Sequence, residues 1–513
     1  MEEARIDEIA DAVLARRRLT GQGELRIESS VIEPVVRSQD FCRFEIPRGK
    51  GILDSDTAVQ ISVANSDVGA AGDRSFLPIL QGISSTINKA VLRIGGKVIA
   101  TTEEFHYLAA TMAGLVPGDD QASIEENIKG NMFHFKNETQ GQESTAGVGG
   151  APNLTINGSV VLGSKMFEND IAATDSVNFQ VDPQLLLQPN TNTAINASRP
   201  DLLDNTPKFM LRLHELFPFL KSNQLPLFVM PDQAVFVELY FNNPAGVVGS
   251  GVVAQNVGNS TYTIVQEDLK LFATYQFFSD EVMNRIQSRY DTQGLSFIYE
   301  DYQFLRKGLI ADAAAAGSQE LVSDLGGQNK VVRDIIIHKQ AAGGAAVPGY
   351  SGYECQGLYH KTSTAADTCG ESYQMEINDR LFFTRPIDEP AALNYYYSTV
   401  GDTGDAWIPN VVNSFSSGVT GSGMLTTGCL FESGNMNGLA GSYAPRAFSF
   451  RKDRSNAAGN GLLVGSKPIR LIYKRDGSAT NAEWSSNNNL SFRIWLVIER
   501  GFVLKDGEVA VSG

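Results

Sequence analysis

The side chains able to do chemistry are few and widely spaced. Five histidines, His106, His134, His214, His338 and His360, fall in no HExxH segment, the spacing that sets two imidazoles on one helix face around a metal. The four cysteines, Cys42, Cys355, Cys369 and Cys429, form no CxxC pair, and so few thiols point to synthesis in a reducing compartment, not to a disulfide framework. Cys355, His360 and Cys369 are near neighbours, but structural zinc sites use tighter ligand pairs, so unrelated loop residues are the favoured reading. The carboxylate pairs Asp54/Asp56 and Asp119/Asp120 could share a cation, although loop carboxylates are more often simply solvated. There is no GxSxG elbow and no GxxxxGK[ST] loop; Gly95-Gly96-Lys97 lacks the setting of a phosphate cradle and reads as a hairpin turn. His214, between an alternating run and an apolar turn, reads as structural, and Glu103 and Glu104 as helix N-terminal carboxylates. The expectation is a chain with no catalytic residue, no cofactor, no metal and no small-molecule substrate.

A glycan-active protein is the alternative from another class. It would set two carboxylates across a cleft lined by Trp and Tyr. Trp407, Trp484 and Trp495 are scattered, no acidic pair stands beside them, and Trp495 lies in an apolar strand that reads as core. One charged cluster remains, Arg16, Arg17 and Arg18. It closes an N-terminal segment in which Ile6, Ile9 and Val13 share a helical face and Glu2, Glu3, Asp7 and Glu8 occupy the early turns, the order that suits a helix dipole. These arginines could meet nucleic acid or a membrane; an acidic neighbour is the favoured partner. The net charge of −16 repels phosphate, which argues against broad nucleic-acid coating and makes association between copies salt-sensitive. No apolar run reaches membrane-spanning length, the N-terminus lacks a signal-peptide pattern, and the sequons at Asn153, Asn157 and Asn196 read as chance.

The elements that must carry these residues read mainly as strands. Val59, Ile61 and Val63 alternate with Gln60 and Ser62, the period of a half-buried strand. Ala90 to Ile94, Gly95-Gly96 and Lys97 to Ile99 read as a hairpin, followed by a Thr101-x-x-Glu104 capping box and a helix with Phe105, Leu108, Ala109 and Met112 on its apolar face. Further strands are expected at 154–162, 209–213, 235–241, 269–275, 297–305, 331–338, 468–474, 491–499 and 501–504. The 235–241 strand is apolar on both faces and therefore central; Pro218 breaks a compact helical stretch, and Ser279 opens a helix to about Gln287. Long loops rich in Gly, Ser, Thr and Asn separate them, especially 117–152, 243–260, 340–352 and 416–442. Short scattered helices among recurring strands favour β-sandwiches or jelly rolls, and 513 residues suffice for two.

The halves also echo each other. Leu92-Arg93-Ile94-Gly95-Gly96-Lys97-Val98-Ile99 and Met375-Glu376-Ile377-Asn378-Asp379-Arg380-Leu381-Phe382 share an alternating strand, a two-residue turn tolerant of φ > 0, a basic residue and an apolar return. Strand character restarts near residue 295, so two similar β domains in tandem are expected.

Five segments, in this order, resemble the major capsid proteins of the double jelly-roll lineage: AVLRIGGKVI (90–99), LRLHELFPFLKSNQLPLFV (211–229), VFVELYF (235–241), DLKLFATYQFFSDE (268–281) and VVRDIIIH (331–338). That lineage includes tectiviruses, adenoviruses, large nucleocytoplasmic DNA viruses, virophages and polinton-like viruses, and the likeness is nearest to the last two groups. It implies an all-β chain of two tandem jelly-roll sandwiches with short helices and long loops: an N-terminal helical arm (1–28), a first jelly roll (29–292) and a second (293–513). It further implies a non-enzymatic homotrimer forming pseudo-hexagonal capsomers that tile an icosahedral virion shell, assembled inside the host cell. Penton and minor capsid proteins would be partners, with an internal membrane or packaged DNA reached through the arm. Arg16, Arg17 and Arg18 would then be inner-face or inter-capsomer contacts. Two alternatives stay open: a carbohydrate-binding or carbohydrate-active jelly-roll protein, and a minor virion component such as a penton or spike.

Overall fold

The computed structural model describes mainly residues 26–65, 74–78, 82–112, 163–168, 208–230, 232–242, 262–309, 319–341, 370–387, 446–451, 461–476, 490–505 and 507–512, with a few shorter pieces between them. The expected N-terminal helix with Arg16, Arg17 and Arg18, the 154–162 strand, Asp119/Asp120, Cys355, His360, Cys369, Trp407, Trp484 and the three sequons lie outside the described residues.

Hydrophobic alternation builds the four large sheets. Phe41–Ile46 buries Cys42, Phe44 and Ile46 on one side, the two-residue period of a strand with one face in a core. The strand Val235–Phe241 lies between Phe41–Ile46 and Ile87–Ile94, central as its two apolar faces require. The first half of the chain forms a seven-stranded and a five-stranded sheet; the second half, from Leu295, forms a six-stranded and a four-stranded one.

The two halves have the same topology. In the first, one sheet runs Arg26–Ile32, Lys270–Phe277, Ala58–Asn65, Lys208–Arg212, and its companion Phe41–Ile46, Val235–Phe241, Ile87–Ile94, Lys97–Glu103. In the second, one runs Leu295–Leu309, Leu490–Lys505, Val331–Ala341, Arg446–Ser449, and the other Gln319–Gly326, Ile469–Asp476, Gly370–Ile377, Arg380–Leu381. If the eight principal strands of each half are counted along the chain, both halves read first-eighth-third-sixth and second-seventh-fourth-fifth, with all neighbours antiparallel. That is the strand order of a jelly roll. The sequence echo falls on the fourth and fifth strands of each roll. Its turns carry the left-handed backbone that Gly and Asn/Asp favour: φ is 55° at Gly95, 81° at Gly96, 52° at Asn378 and 60° at Asp379.

Four expectations change on contact with the structure. Gln60 and Ser62 are buried, so their strand is covered on both faces; Gln60 donates to the Asp268 carbonyl at 2.8 Å. The capping box does not form, because Thr101 stays in the Lys97–Glu103 strand, paired with Val91, and the Phe105–Met112 helix starts behind Glu104 at φ 48°. The strands expected at 491–499 and 501–504 are one, Leu490–Lys505, in which Gly501 pairs on one side with Ile298 and on the other with Ser512. The Asp280–Gln293 helix outruns its expected end and stops at Gly294, at φ 78°, directly before the second roll.

A β-carbon at Gly294 would stand 2.7 Å from the Leu504 carbonyl oxygen and 2.9 Å from the Lys505 Cβ. Gly294→Ala is therefore expected to destabilise the chain by about 1–3 kcal/mol. Chemical denaturation of the variant checks this against Gly96→Ala, whose β-carbon meets nothing within 4 Å and which pays for its left-handed backbone alone.

Candidate functional site: the seam between the two jelly rolls

No catalytic constellation assembles among the described residues. They contain no group of three or more His, Cys, Asp or Glu able to hold a metal, and no helix long and apolar enough to cross a membrane. Asp54 lies in a turn, accepting hydrogen bonds from Ser55 Oγ at 3.1 Å and from Gln276 Nε2, while Asp56 is exposed. His214 Nδ1 lies 3.0 Å from the Ser55 carbonyl. Cys42 is buried, and burial raises its thiol pKa. A hollow of about 420 Å³ opens beside Asp232, Tyr290 and Asp291, without a nucleophile or a general base partnered to one.

What the sequence does build is a junction. Residues of both parities on Leu490–Lys505 are buried: Phe492, Ile494, Leu496 and Ile498 face the core of the second roll, and Trp495 and Val497 join the core of the first. The six-stranded sheet is thus covered on both faces, and the near-continuous apolar run of its eighth strand is the sequence mark of that burial.

The Lys97–Glu103 strand is the edge of the five-stranded sheet, and its outward backbone groups need partners. Three side chains of the second roll supply them. Tyr299 Oη donates to the Ile99 carbonyl at 2.6 Å, the Thr101 amide donates to Asp301 Oδ1 at 3.3 Å, and Trp495 Nε1 donates to the Glu103 carbonyl at 2.9 Å. The contacts step by two residues, as the outward positions of a strand must. Beneath them Phe219 packs edge-on against Phe297 and Tyr299 with ring centroids 6.1 and 5.2 Å apart, and Phe297 stacks on Phe502 at 4.7 Å. Pro218, at the start of the Pro218–Ser222 helix, turns Phe219 into this cluster, and Asn223 Nδ2 reaches the Ile298 carbonyl at 3.3 Å.

The seam also carries charge. Arg493, in the middle of an apolar strand, is almost fully buried, with Nε 2.5 Å from Glu104 Oε2 and its guanidinium 3.5 Å from the Tyr107 ring centroid. Glu104 turns toward it by adopting left-handed backbone, and Arg306 adds a looser contact at 3.7 Å. His106, next in this row, is buried; burial first, and then the Arg493 charge, push its pKa down to about 3, so its imidazole is neutral. Burial also raises the pKa of Asp301, opposed by the Arg500 guanidinium at 2.6 Å.

A second ionic row crosses the six-stranded sheet. Glu300 and Glu499 stand directly opposite one another, an unfavourable pairing of like charges. A bulge between Val332 and Asp334 aims Arg333 at both, at 2.6 Å each. Arg451 joins Glu300 at 2.6 Å to Asp334. Burial raises the Glu300 pKa, but its bonds and charges with Arg451 and Arg333 outweigh this and hold it below the usual carboxylate value.

No protein-family model matches the sequence, and no curated protein matches it. Solved structures do. The chain of PBCV-1 VP54 fitted into a reconstruction of the virophage Sputnik superposes with a TM-score of 0.54 at 11% identity, covering 96% of this chain and 97% of that one. The PBCV-1 virus capsid gives 0.52 at 11% identity over 96% and 97%, and the Faustovirus major capsid protein 0.52 at 8% over 94% and 91%. The chain has the double jelly-roll fold. The likeness runs over nearly the whole length of both partners and so takes in both rolls.

Sequence reading placed Trp495 in a core but missed Tyr299, Asp301 and Arg493 as seam residues. Arg493 left a signal, because an arginine inside an apolar strand implies a buried acid; the residue that answers it, Glu104, lies in the other roll. Two outcomes are expected. Glu104→Gln, which removes the carboxylate charge facing a buried guanidinium, should cost roughly 3–5 kcal/mol, and adding Arg493→Met should recover much of the loss; urea unfolding of both variants measures this. Because the folded-state pKa of His106 is depressed, its contribution is present above pH 6.5 and lost as pH falls toward 3. Unfolding free energy should therefore fall on acidification below pH 6.5, and His106→Gln should flatten that slope.

Proposed function

We propose that the chain is a major capsid protein that trimerises into pseudo-hexagonal capsomers and tiles an icosahedral virus shell, with the virion capsid as its location. The observation that carries the reading is the pair of topologically identical jelly rolls locked by a buried, hydrogen-bonded and ion-paired seam. A shell subunit needs two things from its fold: sandwiches stiff enough to hold curvature, and fixed angles between them. A seam buried on this scale supplies the second. The fold shared with the Faustovirus major capsid protein supports the same reading.

In this reading the chain divides into an arm (1–28), a first roll (29–292) and a second roll (293–513), and works by contact alone, without cofactor or substrate. Six sandwiches from three chains give a hexagonal outline. Arg16, Arg17 and Arg18 on the arm reach a neighbouring capsomer, an internal membrane or packaged DNA, and penton and minor capsid proteins complete the shell.

Light scattering and negative-stain images of the purified chain test the reading. The expected result is a stable three-chain particle with a hexagonal outline; its further association should strengthen with added salt, which screens the charge of −16 on each chain. A monomer at all concentrations contradicts it.

A further inference from the structure

The five-stranded and four-stranded sheets hold equivalent places in the two rolls, and their outer faces carry rows of opposite charge. In the first roll the second, seventh and fourth strands set Arg43, Glu238 and Arg93 side by side, on the side away from the core residues Phe44, Val237 and Leu92. Arg43 Nε donates to Glu238 Oε1 and Arg93 Nε to Glu238 Oε2, each at 3.0 Å. In the second roll the second, seventh and fourth strands set Asp324, Arg470 and Glu376 in the same row, opposite the core residues Leu325, Leu471 and Met375. Arg470 donates from Nε to Asp324 Oδ1 at 3.2 Å and from Nη1 to Glu376 Oε2 at 3.1 Å. The first row reads cation, anion, cation; the second reads anion, cation, anion.

Neither row belongs to the seam. The second roll meets the first through the Trp495 and Val497 side of its six-stranded sheet, so its four-stranded sheet lies beyond the core, turned away. The first roll engages only the Lys97–Glu103 edge of its five-stranded sheet. The outer groups meet water: the Asp324 side chain is 57% exposed, Arg470 46% and Arg43 41%, with Glu238 covered beneath its two arginines. Each row also has an apolar flank. Tyr240 packs on Phe41 with ring centroids 4.8 Å apart beside the first, and Val322, 52% exposed, pairs with Ile472 beside the second.

We infer that the outer face of the five-stranded sheet docks face to face on the outer face of the four-stranded sheet of a second copy, in a neighbouring three-chain particle, laying opposite charges over one another at all three positions. The occupant is another copy because the complementary row lies on the same chain. Neighbouring strands stand about 4.8 Å apart in any sheet, so the two rows share one spacing. First roll against first roll, or second against second, would oppose like charges, so the rows select first against second. Copies with a net charge of −16 repel at a distance, and local complementarity is what lets them touch. The inference rests on the three-chain reading above and adds which faces join one particle to the next.

The test inverts the rows in the full chain. One variant carries Asp324→Arg, Arg470→Glu and Glu376→Arg; a second carries Arg43→Glu, Glu238→Arg and Arg93→Glu; a third carries all six. Light scattering follows them at one fixed salt concentration at which wild-type particles associate. The first variant should melt with the wild type, keep its three-chain particle and lose further association, and the six-fold variant should regain it. Glu238 is buried, so if the second inversion does not fold, Arg43→Gln, Glu238→Gln and Arg93→Gln replace it, and the expected recovery is partial. A first variant that associates like the wild type, or a folded six-fold variant that stays dispersed, overturns the inference and leaves the three-chain reading standing. Loss of the three-chain particle in the folded first variant also overturns it, since the face would then lie inside the particle. A monomeric wild type sinks both.

Discussion

The outward amides and carbonyls of an edge strand must find partners once they are removed from water. In this chain that constraint falls on Lys97–Glu103, and the second jelly roll meets it with side chains, not with another strand: a tyrosine hydroxyl, an aspartate and an indole. The choice has consequences. A ninth strand would fuse the sheets into one continuous surface. Side-chain capping instead lets two closed sandwiches abut while each keeps its own eight-stranded order. It also forces the long eighth strand of the second roll to be apolar on both faces, which is why Trp495 and Ile494 can be neighbours and both be buried.

The charged groups of the junction depend on one another. Arg493 and Glu104 lie where burial is costly for either alone, so the pair is tolerated only because its geometry is close and the Tyr107 ring covers the guanidinium. Such a pair contributes less to net stability than to uniqueness: a slipped arrangement of the rolls would leave one charge buried without its partner. Arg333 acts similarly across the Glu300/Glu499 pair, and the bulge that aims it is a local distortion serving the row of charges. A subunit whose two sandwiches have one permitted arrangement suits a shell in which small angular errors would accumulate from copy to copy.

Much of the fold is legible in the sequence, for local reasons. Two-residue periodicity placed the strands, and the paired turns Gly95-Gly96 and Asn378-Asp379 gave away the duplicated hairpin because few residue pairs accept left-handed backbone twice in succession. The failures are where tertiary contacts overrule local pattern. Thr101-x-x-Glu104 has the letters of a capping box, yet the strand keeps Thr101 and Arg493 takes Glu104. The strands read at 491–499 and 501–504 are one, held together across the gap by partners on both sides of Gly501. The seam residues Tyr299 and Asp301 sit in an ordinary alternating strand, and nothing near them in sequence says that the backbone they cap lies two hundred residues earlier.

Hydrogen–deuterium exchange across residues 97–103 of the full chain tests the central claim most directly, because it reports whether that edge behaves as an edge. If the second roll caps it, the Thr101 amide and its neighbours should exchange only through large-scale unfolding, as slowly as those of the central Val235–Phe241 strand. Exchange near the rate of an exposed strand edge, with Val235–Phe241 still protected, would mean that the two rolls are not locked together, and the account of the chain as a single rigid building unit would fail.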